Sequence, residues 1–201
     1  MSFKPSDLLC LYYCLLSNIE IPRYLKLKYS KSIRTIHWIS ATIVIGLLSL
    51  GIYMTPYDET NAAFADNLYF WHKSFGVLFF IIVLVRIFVR RRSKLPPLPD
   101  GISQPERIVV NLAHKLFYIL MVAIPLLGYV QSSSYEYSDG VHFFFFDLPE
   151  LLPKNQAVYE IANTLHKWLS FVLIGLITLH VLGALRHRLF DRKNDVLKRI
   201  L

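Results

Sequence analysis

The chain has 201 residues, 54% of them hydrophobic and only 18% charged, with a formal net charge of +8 and a mean hydropathy of +0.41. That is too apolar for an ordinary soluble domain and far too apolar for a disordered chain, and two cysteines exclude a disulfide scaffold. The excess of Lys and Arg therefore reads as the basic edge of a membrane protein and not as a face for nucleic acid.

Residues 1–28 are expected to be an N-terminal extension without a function of its own, added by an upstream start. Leu8–Leu16 is apolar but too short to span a bilayer, and no small-residue cleavage site marks it as a signal peptide. Cys10 and Cys14 form a C-x-x-x-C pattern on a reducing side, where a disulfide is not expected.

Residues 29–201 hold four apolar stretches, about 36–54, 68–89, 109–130 and 161–185. Each is about 19 to 25 residues long, enough at about 1.5 Å per residue to cross a hydrocarbon core of about 30 Å. Backbone inside lipid must satisfy its own hydrogen bonds, so the expected fold is all-α and integral to the membrane, a four-helix transmembrane bundle. Pro125 lies inside the third span and is expected to kink it.

Charge sets the expected orientation. Lys4, Arg23, Lys26, Lys28, Lys31 and Arg34 precede the first span. Arg86, Arg90, Arg91, Arg92, Lys94 and Arg107 mark the connection after the second, and Arg186, Arg188, Arg192, Lys193, Lys198 and Arg199 the tail. The other two loops hold a single Lys154 and are acidic, with Asp58, Glu59, Asp66, Glu136, Asp139, Asp147, Glu150 and Glu160. The positive-inside rule then puts both termini and the middle loop of this multi-pass chain in the cytoplasm. The 95–101 stretch, Leu-Pro-Pro-Leu-Pro-Asp-Gly, is a stiff connector. In the larger outer loop, His142 and the run Phe143–Phe146 suit a lipid interface or a cap over a cavity.

Seven histidines stand in this apolar chain: His37, His72, His114, His142, His166, His180 and His187. Ionisable groups at membrane depth are costly and tend to be functional, although a lone one can simply join two helices by a hydrogen bond. The alternation of the spans pairs His72 with His166 near the outer face and His37 with His180 near the inner face. His166 and His180 are fourteen residues apart, about 3.9 turns, so they share a helix face about 21 Å apart. Two pairs of facing imidazoles in a bundle core are a way to hold two hemes by bis-His ligation. A zinc site would bring three or four ligands to one depth, and a proton relay or catalytic triad would need carboxylates that the spans lack.

His114 complicates the inner pair, because it lies at the depth of His37. By spacing alone the two are rivals for His180. Arg86 follows His72 by fourteen residues and is expected at the inner level, able to meet a heme propionate or to snorkel to the headgroups. Gly46, Gly51, Gly76, Gly175 and Gly183 allow close approach of a macrocycle or of another helix. Trp38, Trp71 and Trp168 suit an aromatic belt.

Several motifs together resemble the bacterial cytochrome b561 family, which is related to the b-type cytochrome subunits of nickel-dependent hydrogenases. They are Arg34-Thr35-Ile36-His37-Trp38, Trp71-His72-Lys73, Leu112-Ala113-His114, Ala123-Ile124-Pro125-Leu126-Leu127-Gly128, Leu165-His166-Lys167-Trp168, and Leu179-His180 with His187 seven residues on. The resemblance covers residues 29–200. It implies two b hemes per chain, with His37 and His180 on one iron and His72 and His166 on the other. His114 is then left beside the site or a propionate. Family members that oxidise superoxide and reduce ubiquinone further imply superoxide as an outer donor, ubiquinone as acceptor and His187 near the quinone. The acidic outer loops, with only Lys73, Lys154 and Lys167 as outer lysines, depart from what an anionic donor would favour. The other readings are a heme-bearing anchor subunit that passes electrons between quinone and a partner redox protein, and a scaffold or transporter whose histidines merely pack.

Overall fold

The computed structural model describes residues 28–54, 62–99 and 101–201. Cys10, Cys14, Asp58 and Glu59, and almost all of the expected extension, lie outside the described residues. The four apolar stretches are helices: α1 (Lys31–Tyr53), α2 (Ala62–Arg92), α3 (Gln104–Ser134) and α4 (Gln156–Phe190). All four are long and apolar enough to cross a membrane. They form an up-down-up-down series in which α1 packs on α2, α2 on α3 and α3 on α4.

Each helix runs past its apolar stretch, because polar residues close its ends. The Ser30 hydroxyl accepts from the Ile33 N–H at 3.4 Å. The Glu106 carboxylate accepts the Ser103 N–H at 3.2 Å, and the Asn155 side chain accepts from the Val158 N–H at 3.2 Å. The third helix passes through Pro125 without a break in its assignment. Leucine, isoleucine and aromatic side chains cover the outside, as lipid-facing positions require, and the buried core is small: Val44, Phe79, Val83, Leu120, Met121, Ile124 and Leu173.

The only non-helical order among the described residues is a short hairpin between α3 and α4. Its strands β1 (Val141–Phe143) and β2 (Phe146–Leu148) are antiparallel, with Phe143 opposite Phe146. Phe144 at the turn has φ +49°, an uncommon left-handed conformation for a bulky residue. It is held from α2: the Phe144 N–H donates to Ser74 Oγ at 3.0 Å, and the Phe144 ring meets Phe75 edge-on at 5.3 Å. Ser74 is fully buried. The Phe run is thus divided. Phe144 seats the hairpin on α2, while Phe145 at the tip is 98% exposed.

At the opposite end the C-terminal tail folds back as a 3-10 turn (Arg192–Asn194) and the short α5 (Leu197–Ile200). Trp38 Nε1 donates to the Ile200 carbonyl at 3.1 Å, the Tyr29 N–H to that of Arg199 at 3.1 Å, and Arg199 Nη1 to that of Pro97 at 2.5 Å. The tail therefore ties α1 to the α2–α3 connector. Its anchor is the buried Asp195, which accepts from Arg188 Nη1 at 2.7 Å and from the Lys198 N–H at 3.2 Å. Burial alone pushes the Asp195 carboxyl up. The hydrogen bonds and charges of Arg188 and Lys198 outweigh that and hold it below its ordinary value.

Two outcomes follow. Ser74→Ala leaves the Phe144 N–H without its acceptor, a loss of about 1–3 kcal/mol. Hydrogen exchange over residues 141–148 is expected to speed by about tenfold or more, with the helices unchanged. A carboxyl lowered by folding gives stability that is complete above its ordinary pKa of about 3.9 and is lost as pH falls through the lowered value. Exchange over residues 192–201, corrected for its intrinsic rate, is expected to stay protected from neutral pH down to about 4 and to fail only below. Asp195→Asn is expected to loosen the tail already at neutral pH.

Candidate functional site

The histidines fall on a seven-residue register shared by all four helices. The positions are His37, Val44 and Gly51 on α1, His72, Phe79 and Arg86 on α2, His114, Met121 and Gly128 on α3, and His166, Leu173 and His180 on α4. Seven residues return a bundled helix to the same face. The middle member of each set belongs to the buried core. The outer members gather at two levels, one towards the hairpin and one towards the tail.

At the hairpin level, His72 and His166 face each other with ring centroids 6.2 Å apart. Both rings back onto a glycine of a neighbouring helix. A Cβ on Gly51 would stand 3.4 Å from His72 Cε1, and one on Gly128 would stand 3.1 Å from His166 Cε1 and 3.3 Å from Nδ1. His166 Nδ1 lies 2.9 Å from the Ile124 carbonyl, which can only accept, so Nδ1 carries the proton and Nε2 has a free lone pair. The buried His72 Nδ1 has no hydrogen-bond partner among the described residues.

At the tail level, His180 has two imidazole neighbours. His37 is 6.5 Å away and His114 5.9 Å, so the structure brings together both rivals that spacing left open. Phe117 packs edge-on against His180 at 5.3 Å. Arg86 lies at this level, as its spacing from His72 predicts, and points inward. Its Nη2 donates to His37 Nδ1 at 2.9 Å and its Nη1 to Ser40 Oγ at 2.5 Å. Ser40, 1% exposed, escaped the sequence reading, although a serine within an apolar run was a visible signal. His114 Nδ1 lies 2.8 Å from its own Val110 carbonyl, which turns its Nε2 outward from the helix. His187 continues the register one step beyond His180, with Nδ1 3.4 Å from Asp191 Oδ2.

The hairpin end is roofed by charge pairs. Lys73 pairs with Asp139 and donates to the Gly140 carbonyl at 2.9 Å. His142 lies between Asp147, at 2.5 Å, and Asp139, at 3.1 Å. Burial pushes the Asp139 carboxyl up, but Lys73 and His142 more than offset it and leave it below the ordinary range. The loop carboxylates therefore consume the cation beside His72. Lys167, next to His166, remains exposed.

These donor sets fit a metal held between two imidazoles. Two metal–nitrogen bonds of about 2 Å, plus about 1 Å from each nitrogen to its ring centre, put the ring centroids about 6 Å apart. The hairpin pair meets this with one free lone pair and one uncommitted ring. At the tail, Arg86 can only donate, so the bond to His37 Nδ1 puts the neutral ring's proton on Nε2. For His37 Nε2 to accept a metal, Arg86 would have to release Nδ1 so that the ring proton can move there.

Against known protein families, residues 28–201 match the prokaryotic cytochrome b561 family. The chain belongs to that family. It is 34% identical to cytochrome b561 homolog 2 of Escherichia coli strain K12 over 168 residues, covering 82% of this chain and 86% of the relative. It is 28% identical over 137 residues to a Yersinia pestis protein named probable superoxide oxidase CybB, covering 63% of this chain and 71% of the relative. Cytochrome b561 homolog 1 of Escherichia coli strain K12 is 20% identical over 174 residues, covering 85% of this chain and 96% of the relative. The chain is thus a b-type cytochrome, multi-pass in the bacterial inner membrane, and its work is electron transfer.

The two glycine contacts separate crowding from mere substitution. Gly128→Ala drives a methyl group against the His166 ring and is expected to lower the heme content of the cytochrome. Gly46→Ala, whose Cβ would meet nothing within 4 Å, is expected to leave it unchanged. Heme absorbance per chain measures both.

Proposed function

We propose that this cytochrome carries electrons across the inner membrane through two b hemes, from a donor at the hairpin face to quinone at the tail face, with both termini cytoplasmic. His72 and His166 would hold one heme iron at the hairpin level, and His37 and His180 the other at the tail level. The observation that carries the reading is the repeat of one facing imidazole pair at two levels of one register, with centroids 6.2 and 6.5 Å apart. A b-type heme supplies one-electron redox chemistry at its iron, tuned by the axial ligands and their surroundings.

The chain's own residues hold and orient. The Ile124 carbonyl fixes the His166 ring by its Nδ1–H, and Gly51 and Gly128 leave the rings room. Val44, Phe79, Met121 and Leu173 fill the core between the levels and exclude water. On this assignment Arg86, bonded to His37 here, would hold a heme propionate, since a carboxylate accepts two guanidinium N–H groups better than one imidazole nitrogen does. His114 is assigned beside the tail site, not on the iron. His187, at the cytoplasmic end of α4 and near Asp191, is assigned to hydrogen-bond a quinone and pass it protons.

Superoxide is the proposed donor, on the strength of the relative named as a superoxide oxidase. With Lys73 neutralised by Asp139, the exposed Lys167 is left to attract an anion. Residues 1–28 are proposed to lie outside the working domain. The anchor-subunit reading differs in donor, not in ligands.

A reduced-minus-oxidised visible spectrum with heme quantification tests the core of this. Two hemes per chain are expected in the wild type and one in His72→Ala; a wild-type ratio of one would sink the two-level assignment. His37→Ala should lose the tail-level heme while His114→Ala keeps both, and the reverse result would reassign the ligand. Rapid mixing separates the donors: reduction by superoxide supports the oxidase reading, and reduction by quinol alone supports the anchor.

A further inference from the structure

Between α2 and α3 near the tail end, Arg90, Asn111, His114, Lys115 and Tyr118 line a cleft of about 250 Å³. Asn111, Lys115 and Tyr118 stand at i, i+4 and i+7, one face of α3. Arg90 comes from the last turn of α2 and lies over the Tyr118 ring at 5.6 Å. That cation–π contact holds the guanidinium at the cleft. Beside His114, the wall is thus two permanent cations, an amide and a phenol, a set of donors suited to an anion with several oxygens.

No carboxylate of the described residues answers these cations. Those at the tail end are all committed elsewhere. Glu106 pairs with Arg186 at 3.0 Å, Asp191 faces His187 at 3.4 Å, and Asp195 pairs with Arg188 at 2.7 Å. All of these serve α4 and the tail. Arg90 and Lys115 have no ion-pair partner among the described residues. An anion other than these carboxylates would complete the site.

Position identifies the kind of anion. Arg90 stands in the last turn of one membrane-crossing helix, and Asn111, Lys115 and Tyr118 stand about two, three and four turns inside the start of the next, which puts the cleft in the tail-side part of the spans, where long basic side chains reach the headgroups. On the adjoining stripe of α3, Leu112 and Ile119 follow Asn111 and Tyr118 by one residue and are 59% and 61% exposed, an apolar border suited to acyl chains. A soluble phosphate would match the cations and leave that border unused. We infer that this cleft binds the phosphate headgroup of an anionic phospholipid, with Arg90 and Lys115 as its charge contacts and Asn111 and Tyr118 as neutral donors.

Native mass spectrometry of the heme-loaded protein in detergent tests this with phosphatidylglycerol, phosphatidylcholine and inorganic phosphate as probes. One phosphatidylglycerol is expected to stay bound per chain, and phosphatidylcholine is not. Arg90→Gln with Lys115→Gln should weaken retention by about tenfold, while Arg91→Gln with Arg92→Gln, on the same helix end, should leave it intact. Lys115→Gln alone, at an exposed position, should shift it in the same direction if the double variant does not assemble. Equal retention by the double variant, or equal binding of phosphatidylcholine, would overturn the site. So would inorganic phosphate alone raising the melting temperature as much as phosphatidylglycerol does, which would make the ligand a soluble anion. Loss of heme from the double variant, read in the same mass spectra, would assign the two cations to heme propionates instead and likewise overturn it.

Discussion

The structure depends on one constraint, the seven-residue register that four helices share. An α-helix advances about 100° per residue, so seven residues fall about 20° short of two turns, which slight supercoiling absorbs. Each helix therefore shows the bundle axis one column of residues. Val44, Phe79, Met121 and Leu173 occupy the middle of the four columns and supply much of the buried core. The histidines, Arg86 and the two glycines lie seven residues to either side. A slip of one residue in any helix would turn its column about 100° away and unmake both levels at once. The hairpin bound to Ser74 and the tail bound through Asp195 restrain the two ends of that register.

The same geometry is filled differently at its two ends. At the hairpin level the columns of α1 and α3 contribute Gly51 and Gly128, so space is the contribution, and the His166 ring is held by the Ile124 backbone carbonyl. At the tail level those columns contribute His37 and His114, and α2 contributes Arg86. Polar side chains there compete for one another, and Arg86 and His37 already satisfy each other at 2.9 Å. The hairpin level is thus prearranged for a ligand pair, while the tail level must exchange a hydrogen bond to become one.

Much of this was legible in the sequence because hydropathy and fourteen-residue spacing are strong signals. The four spans, the depth of each histidine and the inward Arg86 follow from them. The rest was hidden for physical reasons. A glycine carries no signal of its own, so Gly128 acquires meaning only when α3 lies against α4. His37 and His114 differ in tertiary hydrogen bonds, which spacing does not encode. The hairpin was invisible because five successive residues, His142 to Phe146, show no strand alternation, and its turn at Phe144 relies on Ser74, sixty-eight or more residues away. Helix ends extend beyond the hydropathy limits because caps such as Ser30 and Asn155 act in the headgroup layer, where apolarity no longer selects.

The unequal ends also give the proposed electron path a direction. A redox centre that gains an electron loses one unit of positive charge, so a fixed cation nearby favours its reduced state, the more so at low dielectric. Arg86 supplies such a charge at the tail level, partly buried and bonded to His37 and Ser40. The corresponding cation at the hairpin level, Lys73, is paired with Asp139, which cancels most of its field. Cations at the tail end gather further at Arg90 and Lys115, while the carboxylates Asp139 and Asp147 cluster at the hairpin. On the proposed ligand assignment the tail-level centre is therefore the better electron acceptor. Transfer from hairpin to tail then runs downhill by electrostatics that the chain itself carries. A propionate meeting Arg86 would reduce that bias without reversing it, because a single phosphate charge on Arg90 and Lys115 leaves one of their two positive charges uncancelled.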